Sequence, residues 1–519
     1  MTWLILLAAL ALLALAALAL HDVLQPRHAV LRIYPVLGHF RYWIESIGPE
    51  LRQYIVANNN EERPFSRDQR RWVYTNAKHE NQYFGFGTDN DLEATQDYII
   101  VRHSTFPYEQ PQHGSPIDLG GYPLPCTKIL GGHRRRRLAF RPSSVVNTSA
   151  MSFGSLSGPA IESINRGVRL AGCLQNTGEG GISRYHRHGG ELIWQLGTGY
   201  FGCRDEYGRF SLTALTERLA VNPQVRALEI KLSQGAKPGL GGFLPGAKVT
   251  AEIADARGVS IGRDCISPSV HWAFRNVDEL LDFVEHLAGE TGLPVGIKAA
   301  VSERAFWVEL ADAMASDARG VDFITIDGGE GGTGAAPLTF SDHVALPFKV
   351  GFTEVYRIFA ERDLQRQIVF IGSGKLGFPE QALLAMALGC DMVNVGREAM
   401  LAIGCIQAQK CHTDHCPSGV ASQSAWRNRA LVPGLKSVRL SNYIIGLRRE
   451  LYRLALACRE HHPALVPMDR LALVSAGFQT RSPAEVFGYD PLWTLPDPAT
   501  RQMLEALMRT LRETGGATA

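Results

Sequence analysis

The sequence predicts an α/β protein whose main body is a closed (β/α)8 TIM barrel. From about Val145 onward, short apolar segments alternate with helical stretches, and each segment ends in glycine or polar residues. Strands that are apolar along their whole length and alternate with helices are typical of a parallel sheet. Six or more such units over roughly 290 residues favour one closed barrel over two doubly wound domains. The candidate strands are Val145–Ala150, Ala227–Leu232, Pro294–Ala300, Val321–Ile326, Ile368–Ile371 and Met392–Val395.

The barrel is the third of four predicted segments. A membrane anchor is expected over residues 1–21 and a mixed, partly helical extension over 22–115. The barrel body with its cysteine-rich loop is expected over 116–436, and a helical extension over 437–519. Within the last segment, Tyr443–Cys458 has apolar residues at helical spacing, which predicts an amphipathic helix that packs on the barrel.

The first twenty residues predict a membrane-spanning helix. From Trp3 to Leu20 there are eighteen consecutive apolar residues, enough to cross a hydrocarbon core as a helix. A cleaved signal peptide is the alternative, since Ala17-Leu18-Ala19 resembles a cleavage site, but no basic residue precedes the apolar run. Basic residues follow the run instead, which favours a cytoplasmic location for the rest of the chain. The sequence therefore predicts a single-pass membrane protein with its catalytic body in the cytoplasm.

Composition excludes two classes of protein. With 45% hydrophobic and 20% charged residues, the bulk of the 519-residue chain is not intrinsically disordered. The 53 basic and 51 acidic side chains give a net charge of +2, which argues against a protein that binds nucleic acid through phosphate contacts. The basic run Arg134–Arg137 is isolated, and we interpret it as a solvated loop before a strand.

Three of the nine cysteines lie close together in the sequence. Cys405, Cys411 and Cys416 fall within twelve residues, and a proline follows the last of them. This pattern is consistent with an iron–sulfur cluster, with zinc if His412 or His415 supplies a fourth ligand, or with no metal. Three cysteines without a fourth nearby would fit a three-iron cluster. The other six cysteines are isolated, and we expect them to be small buried side chains.

Glycine-rich loops follow several predicted strands, at the end of a barrel where active sites form. Lys298 ends an apolar strand, and a lysine that points inward there requires an anionic partner. Glycine clusters beside a lysine or an arginine on two successive late strands resemble the phosphate-binding arrangement of many barrels. The combination favours bound flavin mononucleotide (FMN), with Lys298 facing the N1/O2 edge of the ring. The loops are 149–155, 176–181, 327–334, 372–377 and 395–397.

These loops and the cysteine cluster together resemble the FMN-binding synthase domain of glutamate synthase. The resemblance covers Ser149–Gln423 and rests on long motifs in order, among them Ala-Met-Ser-Phe-Gly-Ser, Asn-Thr-Gly-Glu-Gly-Gly, Gln-Gly-Ala-Lys-Pro-Gly, Gly-Gly-Thr-Gly-Ala and Cys-Pro-Ser-Gly-Val-Ala-Ser-Gln. It implies a barrel that binds FMN and a three-iron (3Fe-4S) cluster that passes electrons to FMN. It also implies that FMN reduces an imine formed from 2-oxoglutarate and ammonia.

The resemblance implies a role for each matching residue, and cations suit a pocket for a dicarboxylate. The residues expected to line the keto-acid pocket as catalytic residues are Glu179, Lys231, Lys237 and Arg257. The residues expected to bind FMN are Ala150, Met151, Ser152, Asn176, Gln195, Lys298, Gly332, Thr333, Gly334, Gly374, Lys375, Gly396 and Arg397. The residues expected to hold the 3Fe-4S cluster are Cys405, Cys411 and Cys416.

The chain departs from the multi-domain enzymes of this family in several places. We expect no glutaminase domain in it, so ammonia would come from solution or from a separate glutaminase subunit. No Rossmann fingerprint is evident, so we expect electrons from ferredoxin or from a separate NAD(P)H-oxidising subunit. Leu240 and Phe243 replace the usual Glu and Gln of one glycine loop, and Tyr200 stands where arginine is usual.

Two alternatives to glutamate synthesis remain open at this point. In the first, the same flavin chemistry acts on another amine, such as methylamine, or on another keto acid, as in an N-methylglutamate synthase. The substitution at Phe243 motivates this alternative, because the family contacts its substrate there. In the second, the chain is a membrane electron-transfer subunit that holds both cofactors without synthase activity.

Overall fold

The computed structural model describes residues 2–26, 28–56, 62–83, 85–88, 90–92, 95, 98–316, 318–475 and 479–515. The chain divides into two compact units, residues 1–69 and residues 70–519. The larger unit contains the barrel and the segments that surround it. The four segment limits expected from the sequence stay predictions.

Eight parallel strands close into a barrel, as the sequence predicts. Each strand pairs with the next along the chain, and the eighth pairs with the first. Two strands beyond the six candidate strands complete it, one of three residues and one of six. The strands are β1 (Val146–Thr148), β2 (Leu174–Asn176), β3 (Glu191–Leu196), β4 (Val225–Lys231), β5 (Val295–Ala299), β6 (Phe323–Asp327), β7 (Val369–Ser373) and β8 (Met392–Val395).

Apolar side chains fill the amino-terminal end of the barrel. Buried residues at or near the starts of strands, such as Phe323, Val369 and Met392, form one cluster there. Leu130 and Phe140 precede β1, pair with each other through an isolated antiparallel bridge, and belong to the same cluster. This end is therefore closed by packing, and an active site is expected at the carboxyl ends of the strands.

Helices alternate with the strands and begin and end where local residues favour it. Gly158–Ala171 begins after Ser157, whose hydroxyl accepts the Ala160 N–H, and ends at Gly172 in the left-handed region at φ 61°. The other α-helices that lie wholly within the larger unit are Pro116–Leu119, Leu212–Ala220, Ala251–Arg257, Val277–Thr291, Arg304–Ser316, Leu338–His343, Phe348–Ala360, Pro379–Ala387, Arg397–Ile403, Ala425–Asn428, Pro433–Ala457, Pro483–Phe487 and Pro498–Thr514. A further α-helix spans Arg67–Lys78.

The predicted amphipathic helix near the carboxyl terminus is confirmed, and it is longer than expected. It spans Pro433–Ala457 and packs against Gly158–Ala171. A Cβ atom on Gly167 would lie 2.9 Å from Leu440, so the glycine permits this close approach. Beside the barrel, Tyr98–Val101 pairs antiparallel with Leu471–Ser475, which pairs in turn with Gln479–Arg481.

The basic run before β1 is not the solvated loop that the sequence suggested. The guanidinium of Arg136 is only 10% exposed and forms ion pairs with Glu285 at 2.6 Å and Asp322 at 3.0 Å. Arg134 donates to the carbonyl oxygen of Val321 at 3.0 Å. The run therefore binds the turns at the amino-terminal end of the barrel together.

The smaller unit begins with the apolar helix Thr2–Leu24, whose composition and length would allow it to cross a membrane. Ala29–Ile33, Leu37–Leu51 and a π-helical turn over Arg52–Val56 follow it. At the end of the first helix, the buried carboxylate of Asp22 accepts the Val36 N–H at 2.9 Å.

Candidate active site

The polar residues that the sequence singled out meet at the carboxyl ends of the barrel strands. Asn176 ends β2, Lys231 ends β4 and Asp327 ends β6. Lys298 is the penultimate residue of β5. Because all eight strands are parallel, these ends lie at one mouth of the barrel.

A buried carboxylate lies at the centre of this mouth. Glu229 of β4 is fully buried and accepts three hydrogen bonds, each 2.7 Å long. The donors are the side-chain amides of Asn176 and Gln195 and the hydroxyl of Thr325. Three neutral donors thus hold one acid in place, and we call these four residues the inner network.

A buried ion pair lies next to the inner network. The ammonium of Lys298 is 3.3 Å from the Asp327 carboxylate, and both side chains are less than 10% exposed. Burial alone would lower the pKa of Lys298, but Asp327 and Glu229 outweigh burial and raise it above the usual value. Lys298 therefore stays cationic and points into the barrel, as the sequence reasoning requires.

Further out, three cations surround one acid. Lys231 lies 2.9 Å from Glu179 and also donates to the Gln234 side chain at 2.6 Å. Burial would raise the pKa of Glu179, but Lys231, Lys237 and Arg257 hold it below the usual value. We call Glu179, Lys231, Lys237 and Arg257 the outer cluster.

The cations of the outer cluster are not fully satisfied by protein groups. Arg257 donates to the Phe153 carbonyl at 3.1 Å, while its buried Nε has no hydrogen-bond partner among the described residues. Burial, reinforced by Lys231, lowers the pKa of Lys237. With one carboxylate against three cations, the outer cluster carries excess positive charge that an anionic ligand would neutralise.

The glycine loops after β6, β7 and β8 lie against one another. A Cβ atom on Gly332 would lie 2.5 Å from the Arg397 side chain, and one on Gly374 would lie 3.4 Å from Gly328. Arg397 donates to the Glu330 carbonyl, and burial lowers its pKa. Gly374 and Lys375 both have positive φ, at 145° and 54°. Backbone without Cβ atoms beside a desolvated guanidinium fits a phosphate group.

The loop after β1 adjoins these glycine loops, because β1 pairs with β8 in the closed barrel. Ser149 lies 3.4 Å from Ser373 of β7, hydroxyl to hydroxyl. A Cβ atom on Gly178 would lie 2.6 Å from the Ser152 nitrogen, so the loop after β2 rests on the predicted FMN-binding segment 150–152. A Cβ atom added to Gly334 would have no neighbour within 4 Å, and one added to Gly396 would contact only Ser149, at 3.5 Å. These small residues leave room for a flat ring system over the inner network.

The cysteine loop packs against the loop after β1. Gln423 donates from its side-chain amide to the carbonyl oxygens of Gly154 and Leu156, both at 3.1 Å. The buried ammonium of Lys248 donates to Ala421 at 3.1 Å and to Ser155 at 3.3 Å. The segment that carries the three cysteines therefore lies beside the proposed flavin side of the mouth.

The three cysteines of this loop do not form a site for a single metal ion among the described residues. Burial raises the pKa of Cys405 to about 12, and Cys411 and Cys416 add to this rise. In the described part of the chain, no group of three His, Cys, Asp or Glu side chains could hold one metal ion. His415, one of the two possible zinc ligands, instead lies 2.6 Å from the Thr413 carbonyl oxygen. A role for the cysteines in a cluster stays a prediction.

Comparison with known families identifies the barrel. Residues 134–461 match the family model described as a conserved region in glutamate synthase. The chain belongs to the glutamate synthase family. The glutamate synthase large subunit-like protein YerD of Bacillus subtilis is 38% identical over 472 residues, which cover 85% of this chain and 89% of that protein.

Other relatives align over the barrel region. The archaeal glutamate synthase (NADPH) of Methanocaldococcus jannaschii is 36% identical over 307 residues, so the alignment covers 59% of this chain and 57% of that protein. Among solved structures, a mutant flavocytochrome b2 with pyruvate bound aligns at 15% identity and a TM-score of 0.41, over 88% of this chain and 90% of that one. As a member of the glutamate synthase family, the chain is an oxidoreductase of that type.

Several important residues of this glutamate synthase family member were missed by sequence reasoning. Glu229 lies in the candidate strand Ala227–Leu232 and Asp327 begins the loop 327–334, but neither is among the predicted site residues. Glu229 lies two residues before Lys231 in a strand, so both side chains point to the same face, and this spacing is a usable signal. His271 also went unnoticed, because its contacts come from segments 40 and 71 residues away.

Proposed function

We propose that this chain converts 2-oxoglutarate and ammonia to L-glutamate with bound FMN. The observation that carries the proposal is the outer cluster, in which three cations face one carboxylate at the barrel mouth. An excess of two positive charges suits a dicarboxylate. An electron-transfer subunit needs no anion pocket, so the cluster favours a synthase over the electron-transfer alternative.

The net reaction consumes 2-oxoglutarate, ammonia, two electrons and two protons, and it yields glutamate and water. When bound, FMN supplies the electron pair that reduces the imine carbon. Arg257 and Lys237 would hold the two carboxylates of the substrate. Lys231, held by Glu179 at 2.9 Å, would supply a proton to the substrate nitrogen.

The other chain residues would bind FMN as the sequence predicts. Lys298 would face the N1/O2 edge of the ring, and its pairing with Asp327 keeps it charged. The loops at 332–334, 374–375 and 396–397 would hold the phosphate. Residues 150–152, together with Asn176 and Gln195, would lie under the ring.

The test is anaerobic reoxidation of the chemically pre-reduced, detergent-purified full-length protein. We expect the flavin absorbance to return when 2-oxoglutarate and ammonium are added together, with one glutamate formed per flavin, and to stay bleached with either alone. Methylamine in place of ammonium tests the alternative amine. If flavin stays reduced with ammonium and 2-oxoglutarate, the glutamate assignment is wrong.

We also propose that Cys405, Cys411 and Cys416 hold a 3Fe-4S cluster. The packing of their loop against the loop after β1 supports this, because electron transfer requires the two cofactors to be close. Cys411→Ser should remove protein-bound iron and leave flavin in place. Cys458→Ser, a buried cysteine elsewhere, is the matched control and should retain iron. Unchanged iron in Cys411→Ser would refute the proposal.

The electron donor and the location are proposed on separate grounds. We propose ferredoxin or a separate NAD(P)H-oxidising subunit as donor, with a separate glutaminase as a possible source of ammonia. The helix Thr2–Leu24 would anchor the protein as a single span, with the barrel in the cytoplasm. Extraction of the protein by alkaline carbonate, or digestion of the barrel by protease added outside intact spheroplasts, would contradict this topology.

A further inference from the structure

The backbone of Lys231 is held by a side chain from a distant loop. The Nε2 atom of His271 lies 2.9 Å from the Lys231 carbonyl oxygen, and Nδ1 lies 2.9 Å from the Tyr200 hydroxyl. Both His271 and Tyr200 are buried, with 6% and 0% of their surface exposed. Tyr200 stands at the position where the sequence departs from the arginine usual in the family.

The chemistry of these atoms determines the direction of each hydrogen bond. A carbonyl oxygen only accepts, so His271 donates from Nε2 to Lys231. In a neutral imidazole the other nitrogen is an acceptor, so the Tyr200 hydroxyl donates to Nδ1. The Tyr200 oxygen in turn accepts the Ala273 N–H at 3.3 Å. Every polar atom of the two side chains is therefore used.

The charge states support this assignment. Burial lowers the pKa of His271 to about 4, although its bond to the Lys231 carbonyl opposes the change. Burial also raises the pKa of Tyr200 to about 12. At neutral pH the imidazole is therefore neutral and the phenol protonated, as the two hydrogen bonds require.

We infer that Tyr200 and His271 act as a positioning pair for Lys231, and thereby set the affinity of the pocket for its keto acid. This rests on the proposed function, in which Lys231 contacts substrate. The carbonyl of Lys231 is held by His271, while its ammonium is held by Glu179 and Gln234. Lys231 is thus fixed at both ends, and neither Tyr200 nor His271 needs to touch the substrate.

A second set of contacts holds the loop that carries His271. Thr198 donates to the Pro268 carbonyl at 2.6 Å, and the Ser267 N–H donates to the Gly242 carbonyl at 2.9 Å. His271 stacks on Phe274 with ring centroids 4.6 Å apart. The loop 267–274 is therefore anchored to the segments after β3 and β4, and removal of one hydrogen bond at His271 need not release it.

The experiment uses the full-length flavin-loaded protein and compares Tyr200→Phe, His271→Leu and His271→Gln. The glutamine keeps an N–H donor near the position of Nε2, and the leucine has none. Tyr207→Phe and His286→Leu, both at exposed positions, are the matched controls. Binding of 2-oxoglutarate to the oxidised protein is measured by the change in flavin absorbance, so the readout needs no turnover.

We expect Tyr200→Phe and His271→Leu to weaken 2-oxoglutarate binding about tenfold, with flavin content unchanged, because a positioning hydrogen bond is lost. His271→Gln should restore most of the affinity. Equal affinity in all variants would overturn the inference. So would a His271→Gln protein that binds as poorly as His271→Leu, because the donor would then not matter.

A second readout separates this inference from the proposed function. The rate at which an amine-specific reagent modifies Lys231, measured by mass spectrometry, reports how firmly that side chain is held. If 2-oxoglutarate does not bind even to the unaltered protein, the proposed function fails. Faster modification of Lys231 in His271→Leu than in His271→Gln would then still support the positioning pair, and equal rates would overturn it.

Discussion

The inner network and the outer cluster each contain a buried carboxylate at the barrel mouth, but they satisfy it differently. Glu229 is held by two amides and a hydroxyl, all neutral donors. Glu179 faces three cations, and its single carboxylate cannot neutralise all of them. The inner network is complete without a ligand, whereas the outer cluster has positive charge left over. This difference indicates that the inner network serves as scaffold and that the outer cluster binds an anion.

The largest effect is expected when Lys231, the cation paired with Glu179, is removed from the outer cluster. Lys231→Met should lower kcat/KM for 2-oxoglutarate on the order of 10³-fold, because a charge-assisted contact to the reacting substrate is lost. Flavin content should stay the same, since the inner network is untouched. The measurement is steady-state kinetics beside the flavin-to-protein ratio.

The same variant has a second, electrostatic consequence. Glu179 remains buried without its closest cation, so its pKa should rise. Lys78→Met, which removes a half-exposed lysine on the surface, is the control and should keep full activity. Activity within twofold of the unaltered protein in Lys231→Met would place substrate binding elsewhere.

Mild acid should destabilise the protein through His271 beside the outer cluster. Its pKa is about 4 when folded, below the usual value near 6.5, so the unfolded chain binds a proton first as pH falls. The contribution to the free energy of unfolding is complete above about pH 6.5 and is lost between there and pH 4. It amounts to roughly 3 kcal/mol.

Denaturant unfolding across that pH range measures this effect. His271→Gln should show a shallower loss of stability with falling pH, because the glutamine does not titrate. His286→Gln changes an exposed histidine and should keep the original slope. If both variants and the unaltered protein share one slope, His271 is not held in the neutral state.

The inner network should respond in stability and flavin content rather than in substrate affinity. Glu229→Gln replaces one accepting oxygen with an NH₂ group, which leaves a buried donor unpaired and costs about 2 kcal/mol. We expect a lower free energy of unfolding together with partial flavin loss. Glu191→Gln makes the same change at a half-exposed site and should do neither. A stable Glu229→Gln protein with full flavin but a raised KM would reverse the roles of the two regions.

The smallest expected effect concerns the apolar substitution at the rim. Phe243 is 48% exposed and follows Gly242, where an added Cβ atom would lie 3.0 Å from Glu179. Phe243→Gln restores the usual residue of the family and should lower the KM for 2-oxoglutarate about threefold by adding one polar contact. Ile266→Gln is the control, on the two-residue strand Cys265–Ile266 that pairs antiparallel with Phe243–Leu244. A higher KM would favour an alternative keto acid or amine.

Most of the fold could be predicted from the sequence, because each βα unit has a pattern that is contained in a short stretch of the chain. Apolar segments ending in glycine predicted six of the eight strands, and the long helix over Pro433–Ala457 was visible in its apolar spacing. The two strands that were not predicted are β2, with three residues, and β3, with six. A segment of three residues such as Leu174–Asn176 is too short to show the alternation of apolar and polar residues by which a strand is recognised.

What the sequence determined by itself was the barrel, the family and the residues most able to carry charge and bind phosphate. These follow from local patterns, because strand ends, glycine loops and motifs are contiguous in the chain. Only the tertiary structure decided which charges neutralise each other. Glu229, Asp327 and His271 act through partners that lie 29 to 96 residues away in the sequence, such as Lys298 for Asp327 and Thr325 for Glu229. Hydrogen bonds across a closed barrel depend on strand register, which is established only when strands from distant parts of the chain bury their apolar faces together.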